Sequence, residues 1–130
     1  MSLADRLYQA YRSRDINRVS DLYAPGGWHR EVATGRVSRG REAIGRGLQS
    51  FLEAFPDARW EAEAIIVDDS REAVPYRLTG TLSKRLGGFQ PRGQILDLRG
   101  VHVLGSIDDQ IAWSEDYWDA ETFRRQMSGA

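Results

Sequence analysis

The chain has no cysteine among its 130 residues. Disulfides, thiolate nucleophiles and cysteine-ligated metals are therefore excluded. It has two histidines, His29 and His102, far apart and outside any metal-ligand spacing. No metal is expected. Neither sign of charge dominates: 18 Lys and Arg stand against 19 Asp and Glu. That leaves no electrostatic footprint for nucleic acid or an anionic membrane, and neither partner is expected. No apolar run is long enough to span a bilayer, and the first residues lack the apolar core of a signal peptide. A cytoplasmic protein is the expectation. Lysine is nearly absent, with Lys84 alone among many arginines; this reads as a compositional bias rather than a site. Glycines 40, 45 and 47 follow no strand in a G-x-G-x-x-G or P-loop pattern, so they build no nucleotide loop. No cofactor is expected.

What is present is enough for one domain with a real core: 41% hydrophobic residues over 130 positions. A single domain over 1–130 is expected. Leu3, Leu7 and Tyr11 recur at helical spacing behind Ser2, a possible N-cap. Asp15 can cap a second short helix carrying Ile16, Val19, Leu22 and Tyr23. Pro25-Gly26-Gly27 should then break the chain, with a strand from Trp28 to Ala33. The third helix shows Ile44, Leu48, Phe51, Leu52 and Phe55 on one face and stops at Pro56. Beyond it the period becomes 2. Trp60, Ala62, Ala64 and Ile66 alternate with Glu61, Glu63 and Ile65, and strands follow at 73–83, 94–104 and 110–118. A last helix is expected over 121–127. Helices first and long antiparallel strands after them define an α+β domain, with helices on one face of a strongly curved sheet.

The stretch "WSEDYWD" (113–119) holds three carboxylates. Alternation puts Trp113, Glu115, Tyr117 and Asp119 on one strand face, and Ala112, Ser114, Asp116 and Trp118 on the other. Each face mixes polar with apolar, so the pattern alone does not say which is inside. Asp119 precedes the last helix and can accept its free amides. Glu115 can pair with one of the many arginines. Asp116 has neither role, and beside Ala112 and Trp118 an unpaired charge is costly. The turn near 106–109 brings His102 toward Asp116 on the neighbouring strand.

The pieces "GREAI" (40–44), "FPDARWE" (55–61), "YRLTGT" (76–81), "PRGQILDLRGVHVL" (91–104) and "WSEDYWDAETFRRQM" (113–127) resemble the SnoaL-like polyketide cyclases of the nuclear-transport-factor-two-like superfamily. The resemblance covers nearly the whole chain. It implies a cone-shaped α+β barrel: three N-terminal helices on a curved, mostly antiparallel sheet, with a short C-terminal helix and a pocket between the layers. It also implies a cofactor-independent cyclase acting by acid–base catalysis on a hydrophobic polycarbonyl molecule. Asp116 takes the position of the catalytic aspartate, and His102 that of its histidine partner.

Other residues follow from the same resemblance. Arg77 and Thr79 are expected on the pocket face of their strand. His29 and Glu31 share a face of the first strand and match polar pocket positions. Trp118 shares the face of Asp116, Phe51 belongs to the helix that walls the pocket, and Phe89 can fold inward from the 84–93 loop. A related epoxide hydrolase uses an Asp-Arg-Asp arrangement. Arg77 and Asp116 match two of its members, but Thr79 stands at the third and cannot replace a carboxylate. Leu82 stands where many cyclases carry a histidine. The superfamily also includes proteins that only bind ligands or dimerise, and isomerases, so these alternatives remain beside the cyclase. A homodimer is expected, because Trp113 and Tyr117 would leave one sheet face too aromatic for water.

Overall fold

The computed structural model describes residues 1–129. Helix α1 (Leu3–Ser13) opens with a capping box: Ser2 Oγ accepts the Asp5 amide, and the Asp5 carboxylate accepts the Ser2 amide. Its buried stripe includes Tyr8 as well as Leu3 and Leu7. Asp15 caps α2 (Ile16–Ser20) by accepting the amides of Asn17 and Arg18. Helix α3 (Arg41–Ala54) stops ahead of Pro56, as the sequence predicts.

Strand β1 (Tyr23–Glu31) runs straight through Pro25-Gly26-Gly27, where a break was expected. Its register against the neighbouring strand shifts between Tyr23 and Trp28, so the Pro-Gly-Gly segment is absorbed as an irregularity. A Cβ on Gly27 would come within 3.0 Å of the carbonyls of Ala24 and Ile111, which explains a glycine there. Strand β2 (Arg36–Arg39) pairs back on β1. The alternating stretch around residues 60–66 divides into β3 (Arg59–Ala62) and β4 (Ile66–Asp68). Ala62, Ala64 and Ile66 are exposed there, and Ile65 is the residue that packs on the core. Beyond Trp60 no residue of that stretch is fully buried to hold one continuous strand.

Three long strands complete the sheet: β5 (Arg71–Thr81), β6 (Ile95–Ile107) and β7 (Gln110–Trp118). The order is β2-β1-β7-β6-β5-β3, with β4 also on β5. All pairs are antiparallel except β1 with β7, so the sheet is mixed. It curves without closing. Helix α1 packs toward β3 and β5, α3 toward β1 and β2, and α4 (Ala120–Met127) toward β6. Leu7, Phe55, Val74, Leu96, Ile111 and Met127 are fully buried between the layers. No described helix is long and apolar enough to cross a membrane.

Two glycines of β6 let aromatic rings lie flat on the sheet. A Cβ on Gly105 would fall 2.1 Å from Trp113 Nε1, and one on Gly100 would fall 2.4 Å from Tyr76 Oη. Tyr76 is the cross-strand partner of Gly100 and reaches over it toward β7. The contact also includes the Tyr117 carbonyl at 2.6 Å, so rotating one side chain does not relieve it. Gly100→Ala is therefore expected to cost about 1–3 kcal/mol through overpacking. Urea unfolding checks this; unchanged stability would mean that Tyr76 does not cross the strand here.

Candidate active site

The site begins with the register of β7. Ser114, Asp116 and Trp118 point to the helix side, and Trp113, Glu115 and Tyr117 to the outer side. Glu115 pairs with Arg30 on the outer face at 3.3 Å. Asp119 caps α4, accepting the Thr122 amide at 3.1 Å and its hydroxyl at 2.6 Å. Asp116 alone of the three faces the interior, 7% exposed.

Asp116 lies directly across from His102 of β6. His102 Nε2 is 3.2 Å from Asp116 Oδ2. The Tyr76 hydroxyl donates to Oδ1 at 2.5 Å, and the Tyr8 hydroxyl meets His102 Nδ1 at 2.6 Å. The His102 ring also stacks on Tyr76, with centroids 4.7 Å apart. Both carboxylate oxygens and both ring nitrogens are thus engaged. No described buried polar side-chain atom lacks a partner.

The electrostatics follow from this geometry. Burial is the largest influence on each partner and opposes its charged form. It is outweighed at Asp116 by the charge and hydrogen bond of His102, the Tyr76 hydroxyl and the charge of His29. The carboxyl is thereby held below the ordinary range. His102 is raised in turn, because the charge and hydrogen bond of Asp116 and the charge of Glu31 overcome burial. Burial, with the charge of Asp116 added, holds the Tyr8 and Tyr76 hydroxyls far above the phenol range, so both remain proton-bearing.

A second polar group comes from β1. The parallel register sets His29 beside Ser114 and Glu31 beside Asp116. His29 Nδ1 meets Ser114 Oγ at 2.7 Å, and Ser114 meets the Tyr23 hydroxyl at 2.6 Å. His29 Nε2 shares a hydrogen bond with Glu31 Oε2. The other Glu31 oxygen accepts Trp118 Nε1 at 2.7 Å. Ligand-type atoms of His29, Glu31 and Asp116 lie within 4.8 Å of one another, the one such set among the described residues. The resemblance put His29, Glu31 and Asp116 in the pocket; the parallel pairing of β1 with β7 sets how close they come. Within this set His29 and Glu31 hydrogen-bond each other, while Asp116 is bonded to His102 and Tyr76.

Both groups open on a cavity of about 430 Å³. Phe51 and Leu48 of α3, Trp60, Leu78, Leu98 and Phe123 give it apolar walls. Tyr11 stacks on Trp60 with centroids 4.5 Å apart. His29, Glu31, His102, Asp116 and Trp118 line it together, as does Phe51.

Three expected lining residues lie elsewhere. Arg77 is on the outer face of β5 and pairs with Asp97 at 2.9 Å. Thr79, two residues on, shares that face and does not border the cavity. Tyr76 and Leu78 point inward in their place, because this interior is mostly apolar and the strand's hydrophobic set faces it. The Asp–Arg pairing of the epoxide hydrolase is therefore not assembled. Phe89 packs edge-on against Phe123, centroids 6.3 Å apart, one layer behind the wall; Leu86 of the same loop borders the cavity instead. Leu82 is core, 1% exposed. Tyr8, Tyr76 and Ser114 were missed as functional candidates. The position of Tyr76, two residues before Leu78 on an alternating strand, was the signal available for it.

A buried histidine–aspartate pair facing an apolar cavity in a helix-covered curved sheet defines a class of small pocket proteins. The chain belongs to the SnoaL-like polyketide cyclase family, whose profile matches residues 2–127. No curated protein matches it. Among solved structures it is similar to a proposed polyketide cyclase from Xanthomonas campestris, at 22% identity over 96% of this chain and 93% of that one, with a TM-score of 0.83. AclR, a proposed hydroxylase from Streptomyces galilaeus, shares 20% identity over 98% of this chain and 83% of its own, with a TM-score of 0.84. A hypothetical protein with a ketosteroid isomerase-like fold from Catenulispora acidiphila shares 14% identity over 97% and 92%, also at 0.84. At such identities these structures establish the shared fold.

The pair makes stability depend on pH. The raised His102 contributes fully below its unfolded value of 6.5, and that contribution is lost as pH rises through the higher folded value. The lowered Asp116 contributes above its unfolded value of 3.8, and is lost as pH falls through the lower folded value. Both are present between 3.8 and 6.5. The stability gap between wild type and Asp116→Asn should be widest in that window and narrow at more alkaline pH. Denaturant unfolding across the series checks it; a gap that keeps growing above the window would contradict the ion pair.

Proposed function

We propose that the chain is a cyclase in which Asp116 moves the proton, acting on a hydrophobic polycarbonyl molecule held in the cavity. The observation that carries this reading is the Asp116 carboxylate, 3.2 Å from His102, on the wall of an apolar cavity. A base in such a place removes a proton from a carbon between carbonyl groups. The electron pair of that C–H bond becomes an enolate, which attacks a second carbonyl carbon of the same molecule. A C–C bond forms, and the new alkoxide takes the proton back. Product and substrate are isomers, and the step needs neither oxidant nor reductant.

His102, 2% exposed behind Asp116, acts through the aspartate and is a positioning residue. Tyr76 fixes the other carboxylate oxygen. The aromatic walls hold a flexible chain folded with its reacting carbons close, which lowers the barrier by removing orientational freedom. Proton transfer by a positioned group contributes about 10²–10⁴-fold.

Incubation with aromatic polyketone esters, followed by mass spectrometry, should reveal a product of unchanged mass. Asp116→Asn is expected to lower its rate by about 10²–10⁴-fold. Asp119→Ala, which removes only the cap of α4, should keep the rate while lowering the melting temperature. Full activity in Asp116→Asn would rule out Asp116 as the base; no product from wild type would favour simple ligand binding.

The outer sheet face supports pairing with a second copy. Trp28 stacks on Trp113 there, and Tyr117 is 43% exposed. Sedimentation should give twice the chain mass for wild type and a shift toward monomer in Tyr117→Glu; a monomeric wild type would remove the proposal.

A further inference from the structure

The hydrogen-bonded pair on β1 has no part in the step above. We propose that His29 and Glu31 form a second acid–base pair, which protonates the carbonyl oxygen of an enolisable ketone while Asp116 takes a proton from the adjacent carbon. This rests on Asp116 being the base.

Placement is the first argument. The pair and Asp116 stand on neighbouring strands, on one face, with atoms within 4.8 Å of one another. An α-carbon and its carbonyl oxygen are roughly 2.4 Å apart at ordinary bond lengths. A C–C=O unit seated against this face can meet the base at its carbon and the pair at its oxygen, each within hydrogen-bond reach.

Access is the second. The His29 and Glu31 side chains are 17% and 30% exposed, against 2% for His102. His102 is enclosed and already bonded to Asp116, and the Tyr76 hydroxyl also points at Asp116. Neither is free to serve the substrate oxygen. Without another donor the oxygen would gain negative charge in an apolar cavity, which is costly.

Scaffolding is the third. Ser114, itself bonded to Tyr23, fixes His29 at Nδ1, and Trp118 fixes Glu31. Each member keeps one atom for a shared proton and is oriented through the other. A plain cavity wall has no need of this arrangement.

The step balances. The C–H electron pair becomes the C=C bond of the enol, and its proton passes to Asp116. The C=O π pair passes to oxygen, which takes the proton shared by His29 and Glu31. When the enol carbon bonds to a second carbonyl carbon, the enol O–H returns its proton to the pair. Asp116 then protonates the new alkoxide.

The test is α-hydrogen exchange of 2-tetralone in D₂O with the full chain, followed by NMR. Wild type should accelerate exchange, and Asp116→Asn should abolish the acceleration. His29→Asn and Glu31→Gln should each lower the rate at saturating ketone by at least about tenfold, with the ketone dissociation constant unchanged. Glu31→Gln keeps an oxygen for Trp118, so it carries the test if His29→Asn does not fold. If both variants exchange like wild type while Asp116→Asn is inactive, the pair is only wall; the inference falls and the role of Asp116 stands. Weaker ketone binding at an unchanged rate also overturns it. If wild type gives no acceleration, or Asp116→Asn retains it, both readings fall together.

Discussion

A carboxylate and an imidazole 3.2 Å apart, both nearly sealed from water, set the terms for the rest of this molecule. Neither charge is affordable alone in that position, and removing one partner of such a pair generally costs about 3–5 kcal/mol. The surroundings are arranged so that neither is alone. Tyr76 and Tyr8 complete the outer hydrogen bonds of the pair. Gly100 gives up its side chain so that Tyr76 can cross β6. The long β6–β7 hairpin fixes His102 opposite Asp116. A charge that would otherwise destabilise the core is held as a carboxylate of defined orientation.

The parallel pairing of β1 with β7 adds what antiparallel hairpins could not. It brings His29 and Glu31 from the N-terminal part of the chain alongside Ser114 and Asp116. The cavity therefore has polar groups along one wall and aromatic or aliphatic surface elsewhere. That asymmetry suits a molecule with an apolar frame and a carbonyl-bearing edge.

The sequence was most legible where one local rule decided the outcome. Asp119 precedes a helix and caps it, and a residue with no cap to make and no outer partner, Asp116, had to be the inward one. Helices α1 and α3 announced themselves by their apolar stripes. Legibility failed where two rules competed. On β5, Arg77 and Thr79 looked like pocket polar groups, but the cavity is part of the core and Tyr76 and Leu78 claim that side. Pro25-Gly26-Gly27 looked like a break, yet pairing to β7 carries the strand through it. His29, Glu31 and Asp116 were each legible as pocket residues, but not their closeness, which comes from a long-range strand order that no local pattern encodes.

The most direct measurement is the NMR titration of the His102 ring nitrogens in wild type and in Asp116→Asn. The account predicts that His102 in wild type stays doubly protonated above the ordinary histidine value of 6.5, and that in the variant burial takes over and pushes it below. A His102 that titrates identically in the two proteins would show that the pair carries no charge, and would contradict the account at its root.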